Sequence, residues 1–307
     1  MAKTGWHGVF PAVTTQFHED FSIDFTATQG VQDALVKDGV HGLILMGTCG
    51  ENNSLDADEK RALLKSTVEV VAGRVPVVTG VSEFDTRRAV AYAKDAEKLG
   101  ADGLMLLPAM VYVPKPEELA AHFKAVAAAT SLPIMLYNNP PAYRVNIGFD
   151  VLRLLEDVPN IVALKESAPD PRRFTDLINE FGDRFELFAG LDDVIVESVA
   201  MGAVGWVSGM SNAFPREGET LFRLARAGRF KELMPLYEWF MPLLHLDARP
   251  DLVQCIKLCE QIIGRGTALT RPPRLALLPH EKAEVEAMMA KALKNRPMLP
   301  DVGLKAA

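Results

Sequence analysis

The feature that most constrains this chain is a rhythm. Short apolar runs alternate with amphipathic helical patterns through about 230 of the 307 residues. Segments 8–17, 42–46, 75–80, 103–107, 132–137, 160–167, 185–189 and 203–208 read as strands, most of them apolar without a break, as strands covered on both faces must be. Between them, 26–37, 57–72, 85–99, 117–129, 149–155, 171–181 and 193–201 read as helices, and Asp56 with Glu59 three positions on forms a capping-box start. Such alternation requires a parallel sheet with helical crossovers. Eight units close most naturally into an α/β fold of the (β/α)8, or TIM, barrel type. An open doubly wound sheet is the runner-up, disfavoured because no G-x-G-x-x-G follows the first strand and no G-x-x-x-x-G-K-[ST] occurs.

Beyond residue 229 the strand pattern stops. Segments 230–246, 251–263 and 281–293 read as helices, which divides the chain into a barrel (1–229) and a C-terminal helical extension (230–307). The extension must bury its apolar side on the barrel, on another subunit, or on both.

Inside this frame one strand is unusual. In 160–167, N-I-V-A-L-K-E-S, four apolar residues run straight into Lys165 where the strand should end. Free lysine has a pKa near 10.4, so at pH 7 about one in two thousand carries the nucleophilic amine. Desolvation at a barrel mouth disfavours the ammonium, at about 1.4 kcal/mol per pKa unit, and makes the lysine able to form a Schiff base with a carbonyl substrate. The plainer alternative is a lysine that reaches water or pairs with Glu166.

Composition narrows the partners. Lys plus Arg total 33 against 40 acidic residues, with no basic run of the kind that follows a phosphate backbone, so nucleic acid is not expected. The N-terminus lacks the apolar core of a secretory signal and no apolar run is long enough to span a bilayer, so a cytoplasmic location with no membrane partner is expected. Three cysteines, Cys49, Cys255 and Cys259, suit reduced thiols. Cys255 and Cys259 share a helix face but have no second ligand pair nearby, and they are assigned to the core; no metal is expected.

Barrel enzymes gather reactive groups at the C-terminal ends of their strands. That rule selects Thr48, Cys49 and Glu51 after strand two, Tyr137 at strand five, Lys165 at strand six, Gly190 after strand seven and Ser208 at strand eight, all expected to face one another. Tyr137 offers a phenol for the proton transfers of carbinolamine dehydration, or is simply an aromatic at the barrel mouth. The hydroxyl and amides around Thr48 and Cys49, between Gly47 and Gly50, can hold a carboxylate or form a plain tight turn. The six histidines form no triad and read as structural or surface residues, His245 being the strongest exception because Asp247 and Arg249 lie close in sequence. Asp192 and Asp193 read as aspartates at a helix N-terminus, with a metal or acid-base pair as the alternative.

Several motifs together resemble the superfamily of dihydrodipicolinate synthase and N-acetylneuraminate lyase, Schiff-base lyases of pyruvate-type 2-oxo acids. They are G-V-F-P-A-V-T-T-Q-F at 8–17, G-T-C-G-E at 47–51, Y-N-N-P at 137–140, K-E-S at 165–167 and G-L-D-D at 190–193, so the resemblance spans nearly the whole chain. It implies a (β/α)8 barrel in which Lys165 forms an imine with a 2-oxo acid and no other cofactor is needed. Tyr137 relays protons, Thr48 and Cys49 bind the substrate carboxylate, and Gly190 and Val207 supply main-chain contacts. It also implies a homodimer or homotetramer.

Departures from the family pattern bear on the substrate. Cys49 stands where the family has a second threonine, and Ala142 where true synthases have an arginine that clamps the aldehyde's carboxylate; Arg144 follows two residues later. In P-A-M-V-Y at 108–112 the tyrosine, Tyr112, is one position out of register with the residue the family lends to a neighbouring site. Segment 251–274 resembles branches that dehydrate 2-keto-3-deoxy sugar acids or deaminate hydroxypyrroline carboxylates. The expected activity is therefore a hydro-lyase or deaminase. The alternatives are an aldolase or condensing enzyme of the same family, such as 4-hydroxy-tetrahydrodipicolinate synthase, and a non-catalytic barrel that binds a 2-oxo acid.

Overall fold

The computed structural model describes residues 4–109 and 112–303. Eight parallel strands alternate with helices. In chain order they are β1 (Gly8–Pro11), α1 (Phe25–Lys37), β2 (Leu43–Leu45), α2 (Ala57–Val71), β3 (Val77–Val81), α3 (Thr86–Lys98), β4 (Gly103–Leu106), α4 (Pro116–Ala127) and β5 (Ile134–Asn138). A single turn, α5 (Pro140–Tyr143), and α6 (Phe149–Arg153) lead to β6 (Ile161–Glu166), α7 (Arg172–Phe181), β7 (Glu186–Ala189), α8 (Ile195–Ala200), β8 (Gly205–Ser208) and α9 (Pro215–Arg226). Neighbours pair in the order β1-β8-β7-β6-β5-β4-β3-β2. A parallel bridge from Ala12 to Ile44 joins the two ends and closes the (β/α)8 barrel. Every strand residue is buried, which is why the strands read as apolar runs rather than alternating ones.

The first strand is shorter than its sequence suggests. Pairing with β8 ends at Pro11, and Thr14, Thr15 and Gln16 turn their polar groups away from the sheet. Thr14 donates to Glu260, Thr15 donates to the Gly50 carbonyl, and Gln16 accepts from the Thr267 amide. The threonines that raise the strand propensity of this segment bind elsewhere instead, Thr14 to the extension and Thr15 to the loop after β2.

The extension consists of α10 (Phe230–Leu244), a 3-10 turn at His245–Ala248, α11 (Leu252–Ile262) and α12 (Pro279–Lys294). Its apolar residues Leu233, Phe240, Leu246, Ile256 and Met289 join the same buried core as the barrel helices. Cys255 and Cys259 lie in that packing as free thiols. A buried polar knot ties α11 to the loop after β2. Lys257 donates to the Thr15 carbonyl at 2.7 Å, to the Leu269 carbonyl and to Glu51 at 3.2 Å, and the other Glu51 oxygen accepts from the Arg271 amide at 3.0 Å. Glu51 therefore does not face the other strand-end candidates. Its backbone is left-handed, at φ 55°, and its carboxylate turns outward to neutralise Lys257.

Candidate active site

Strand alternation sets the site. Tyr137 on β5 and Lys165 on β6 are register partners, and so are Asn138 and Glu166 one step on. Side chains alternate across a strand, so the first pair points into the barrel and the second away from it. Glu166 accepts from Asn138 at 2.9 Å and 3.0 Å and from Arg173 at 2.5 Å. The carboxylate next to Lys165 in sequence is thus committed elsewhere, and the pairing of Lys165 with Glu166 does not form.

Lys165 is 6% exposed, with Nζ 3.9 Å from the centroid of the Tyr137 ring. Burial pushes its pKa down; Asp247, first among several neighbours, acts in the opposite direction. Within reach of a carbonyl, such a lysine is a nucleophile in waiting. Burial pushes the Tyr137 phenol up to about 12, so it stays protonated at neutral pH and can donate as well as accept. Its hydroxyl accepts from Asn139 at 2.9 Å. Burial also raises the Cys49 thiol, which keeps it neutral.

The loop after β2 brings Gly47, Thr48 and Cys49 to the same cavity as Tyr137, Lys165, Gly190 and Val207, with a volume of about 50 Å³, room for a few water-sized groups. Gly190 is required by space. A Cβ there would lie 2.0 Å from Ser167 Oγ and 2.9 Å from Lys165 Cε. Of the residues selected from the sequence, Thr48, Cys49, Tyr137, Lys165, Gly190 and Val207 line the cavity, while Ser208 and Glu51 do not. Ser208 is fully buried behind the wall, donating to Asp192 at 3.2 Å and accepting from the Ser211 amide at 3.0 Å.

Three further placements bear on the sequence reading. Asp192 and Asp193 do stand in the first turn of the 3-10 segment Asp192–Val194 that leads into α8, but the buried Asp192 carboxyl accepts from Trp206 Nε1 at 2.8 Å and from the amides of Met210 at 2.7 Å and Gly209 at 3.3 Å, bracing the loop after β8. His245 stays on the surface, 2.9 Å from Asp193, and it is Asp247 that lines the cavity. Tyr112 is 59% exposed, and its neighbours Met110 and Val111 lie outside the described residues.

Tyr143 was not singled out from the sequence. It ends the turn α5, stands edge-on to Tyr137 at 5.6 Å between centroids, and shares a 2.5 Å hydrogen bond with Thr48 Oγ1. Burial raises its pKa, so this too is a neutral phenol. A signal existed in Asn139-Pro140-Pro141. Asn139 accepts from the Ala142 amide and the two prolines start a helical turn, which carries Tyr143 back over the barrel mouth.

A buried lysine and phenols gather at the C-terminal mouth of a (β/α)8 barrel, where barrel enzymes place their reactive groups, and the comparisons place the chain more narrowly. Residues 6–292 match the model of the dihydrodipicolinate synthetase family. The chain is 36% identical over 250 residues to 4-hydroxy-tetrahydrodipicolinate synthase of Desulforamulus reducens, covering 78% of this chain and 83% of that one. With the enzyme of the same name from Phocaeicola vulgatus the identity is 32% over 294 residues, 94% of this chain and 97% of the relative. The solved structure of 4-hydroxy-tetrahydrodipicolinate synthase from Methylacidiphilum fumariolicum SolV superposes with a TM-score of 0.90 at 30% identity, covering 94% of this chain and 96% of that one. The protein belongs to the dihydrodipicolinate synthetase family, a family of lyases. Among the described residues no helix is long and apolar enough to cross a membrane.

Proposed function

We propose that this chain is a Schiff-base lyase of a small 2-oxo acid. Lys165 attacks the keto carbon, and loss of water gives the imine without a further cofactor. The amides and hydroxyl around Thr48 and Cys49 hold the 2-oxo acid's carboxylate, with Gly190 and Val207 on the opposite wall. Tyr137 carries the protons, with Tyr143, edge-on to it and hydrogen-bonded to Thr48, as its neighbour in the relay. The observation that bears most weight is the Tyr137–Lys165 rung, which sets a desolvated amine against a neutral phenol inside the cavity.

After the imine, the named relatives favour carbon–carbon bond making or breaking, the aldolase or condensing chemistry that the sequence reading held second to elimination. Hydro-lyase or deaminase chemistry stays as a second reading for one reason. Ala142 replaces the arginine expected of a true synthase, and the carboxyl of Asp247 occupies the cavity wall instead. Oligomerisation as a homodimer or homotetramer is part of the same proposal, as is a cytoplasmic location.

Borohydride reduction in the presence of pyruvate, followed by peptide mapping, tests the imine. An adduct on Lys165 is expected, and the absence of one with any 2-oxo acid would defeat the reading. Product analysis then separates the chemistries: pyruvate plus aldehyde consumed to a longer 2-oxo acid for the first, water or ammonia released from a 2-keto-3-deoxy sugar acid or hydroxypyrroline carboxylate for the second.

A further inference from the structure

The wall of the cavity opposite the barrel strands is supplied by the extension, and its one ionised side chain there is a carboxyl. Asp247 belongs to the 3-10 turn His245–Ala248 between α10 and α11. That turn is held on both sides, Leu246 being buried in the core and His245 paired with Asp193. The Asp247 carboxyl packs on the main chain of the loop after β8: a Cβ on Gly209 would fall 2.1 Å from its Oδ1. Among the described residues that line the cavity, Lys165 and Asp247 alone carry formal charge. Arg144 is exposed and does not line it.

Consider what remains once the imine exists. Lys165 is consumed, and the 2-oxo acid's carboxylate is spoken for by the loop after β2. No described cation on the wall is left to receive a second carboxylate, and Asp247 would repel one at short range. A distal hydroxyl, carbonyl oxygen or protonated nitrogen suits it. We propose that Asp247 binds the distal oxygen of the substrate and exchanges its proton during carbon–carbon bond formation and cleavage, and so confines the enzyme to substrates without a carboxylate at that end.

The step balances. In condensation the enamine carbon bonds to the aldehyde carbon, and the carbonyl π pair moves to oxygen. That oxygen takes the proton from Asp247 as the enamine nitrogen becomes an iminium. In cleavage the ionised Asp247 takes the hydroxyl proton back and the pair returns to the enamine. Burial raises the Asp247 carboxyl to about 6, against the Lys165 ammonium and the Asp192 amide, which favour its ionised form. The titratable groups facing it are Lys165 from β6, Tyr137 from β5, Asp192 and Asp193 from the turn after β7, and Cys49 from the loop after β2.

This inference rests on the imine reading, and the test separates the two. The wild type, Asp247→Asn and Asp247→Glu are compared with pyruvate plus D-glyceraldehyde, an uncharged hydroxyaldehyde, and with pyruvate plus succinic semialdehyde, which adds a carboxylate. All three proteins are expected to give the borohydride adduct with pyruvate, which also reports correct folding. The wild type should favour glyceraldehyde by about tenfold or more in kcat/KM. Asp247→Asn should lose about 10²-fold in kcat with glyceraldehyde and narrow that preference. The pH profile is the readout that a merely structural role would not move. Condensation needs the protonated carboxyl and should fall as pH rises past about 6, cleavage needs the ionised one and should fall as pH drops below it, and both limbs should persist in Asp247→Glu and vanish in Asp247→Asn. An Asp247→Asn protein with wild-type kcat, limbs and preference would overturn the assignment, as would equal use of the two aldehydes by the wild type. Absence of any pyruvate adduct in the wild type would overturn the imine reading and this inference with it.

Discussion

Tyr137 and Lys165 occupy one rung of neighbouring parallel strands, with the lysine Nζ 3.9 Å from the centre of the tyrosine ring. The ring face lends electron density to the ammonium when it forms, while burial opposes that charge. Burial is the larger influence, so the amine deprotonates more readily than in free lysine. The initial rate of reductive trapping with pyruvate should therefore rise with pH and level off at a pH below the 10.5 of an ordinary lysine. Lys165→Ala should give no adduct and no turnover, with mass spectrometry of the trapped protein as the check.

Tyr143 reaches the site through one hydroxyl contact, so Tyr143→Phe removes the bond to Thr48 while leaving the edge-on packing against Tyr137. A fall in kcat of about 10- to 100-fold is expected, with little change in thermal stability. Thr48→Val should do the same, and the double variant should cost less than the product of the two, since both break one link. Multiplicative losses in steady-state kinetics would show that the two hydroxyls act separately.

At Gly190 the neighbours leave no room for a methyl group. Gly190→Ala must displace Ser167 or Lys165, and overpacking of this kind costs about 1–3 kcal/mol. Both a lower Tm and a larger loss in adduct formation are expected. A variant with unchanged trapping kinetics would mean that the lysine has freedom the packing does not suggest.

The knot between barrel and extension offers a test by stability alone. Lys257→Met removes the nearer cation from the buried Glu51 and leaves Arg274 at 3.9 Å, so a loss approaching the about 3–5 kcal/mol typical of a broken buried pair is expected, and denaturant titration measures it. The conservative Glu51→Gln keeps a partial acceptor and should cost less.

Glu260, beside that knot, has a carboxyl that burial raises to about 7. A folded-state pKa above the unfolded value of 4.5 means that the native state holds the proton longer. The contribution of this group to stability is complete below about 4.5 and is lost as pH rises towards 7. Glu260→Gln should remove that part of the pH dependence, which Tm measured from pH 4 to pH 8 would reveal as a flatter curve.

How much of this was legible beforehand depended on whether the signal was local. The eight strands show themselves because a covered parallel strand must be apolar along its whole length, and Lys165 stood out as a charge at the end of such a run. The capping box of α2 was equally local, with Asp56 accepting from the Glu59 amide and the Glu59 carboxylate accepting from the Asp56 amide. Ser208 and Glu51 were misplaced for the complementary reason. Proximity to a strand end does not state which face a side chain takes once the strand has stopped, and both residues turned towards buried polar partners instead of the cavity.

The chain's sequence by itself determined the barrel, the helical extension and the strand-end lysine, because each follows from periodicity and hydrophobicity read over a few residues. What only the tertiary structure decided is the company that lysine keeps. Tyr143 arrives by way of a turn, and Asp247 comes 82 positions after Lys165 on a separate helical layer. Contacts between residues so far apart in the chain are set by how whole elements pack, and packing is the one property that no short stretch of sequence contains.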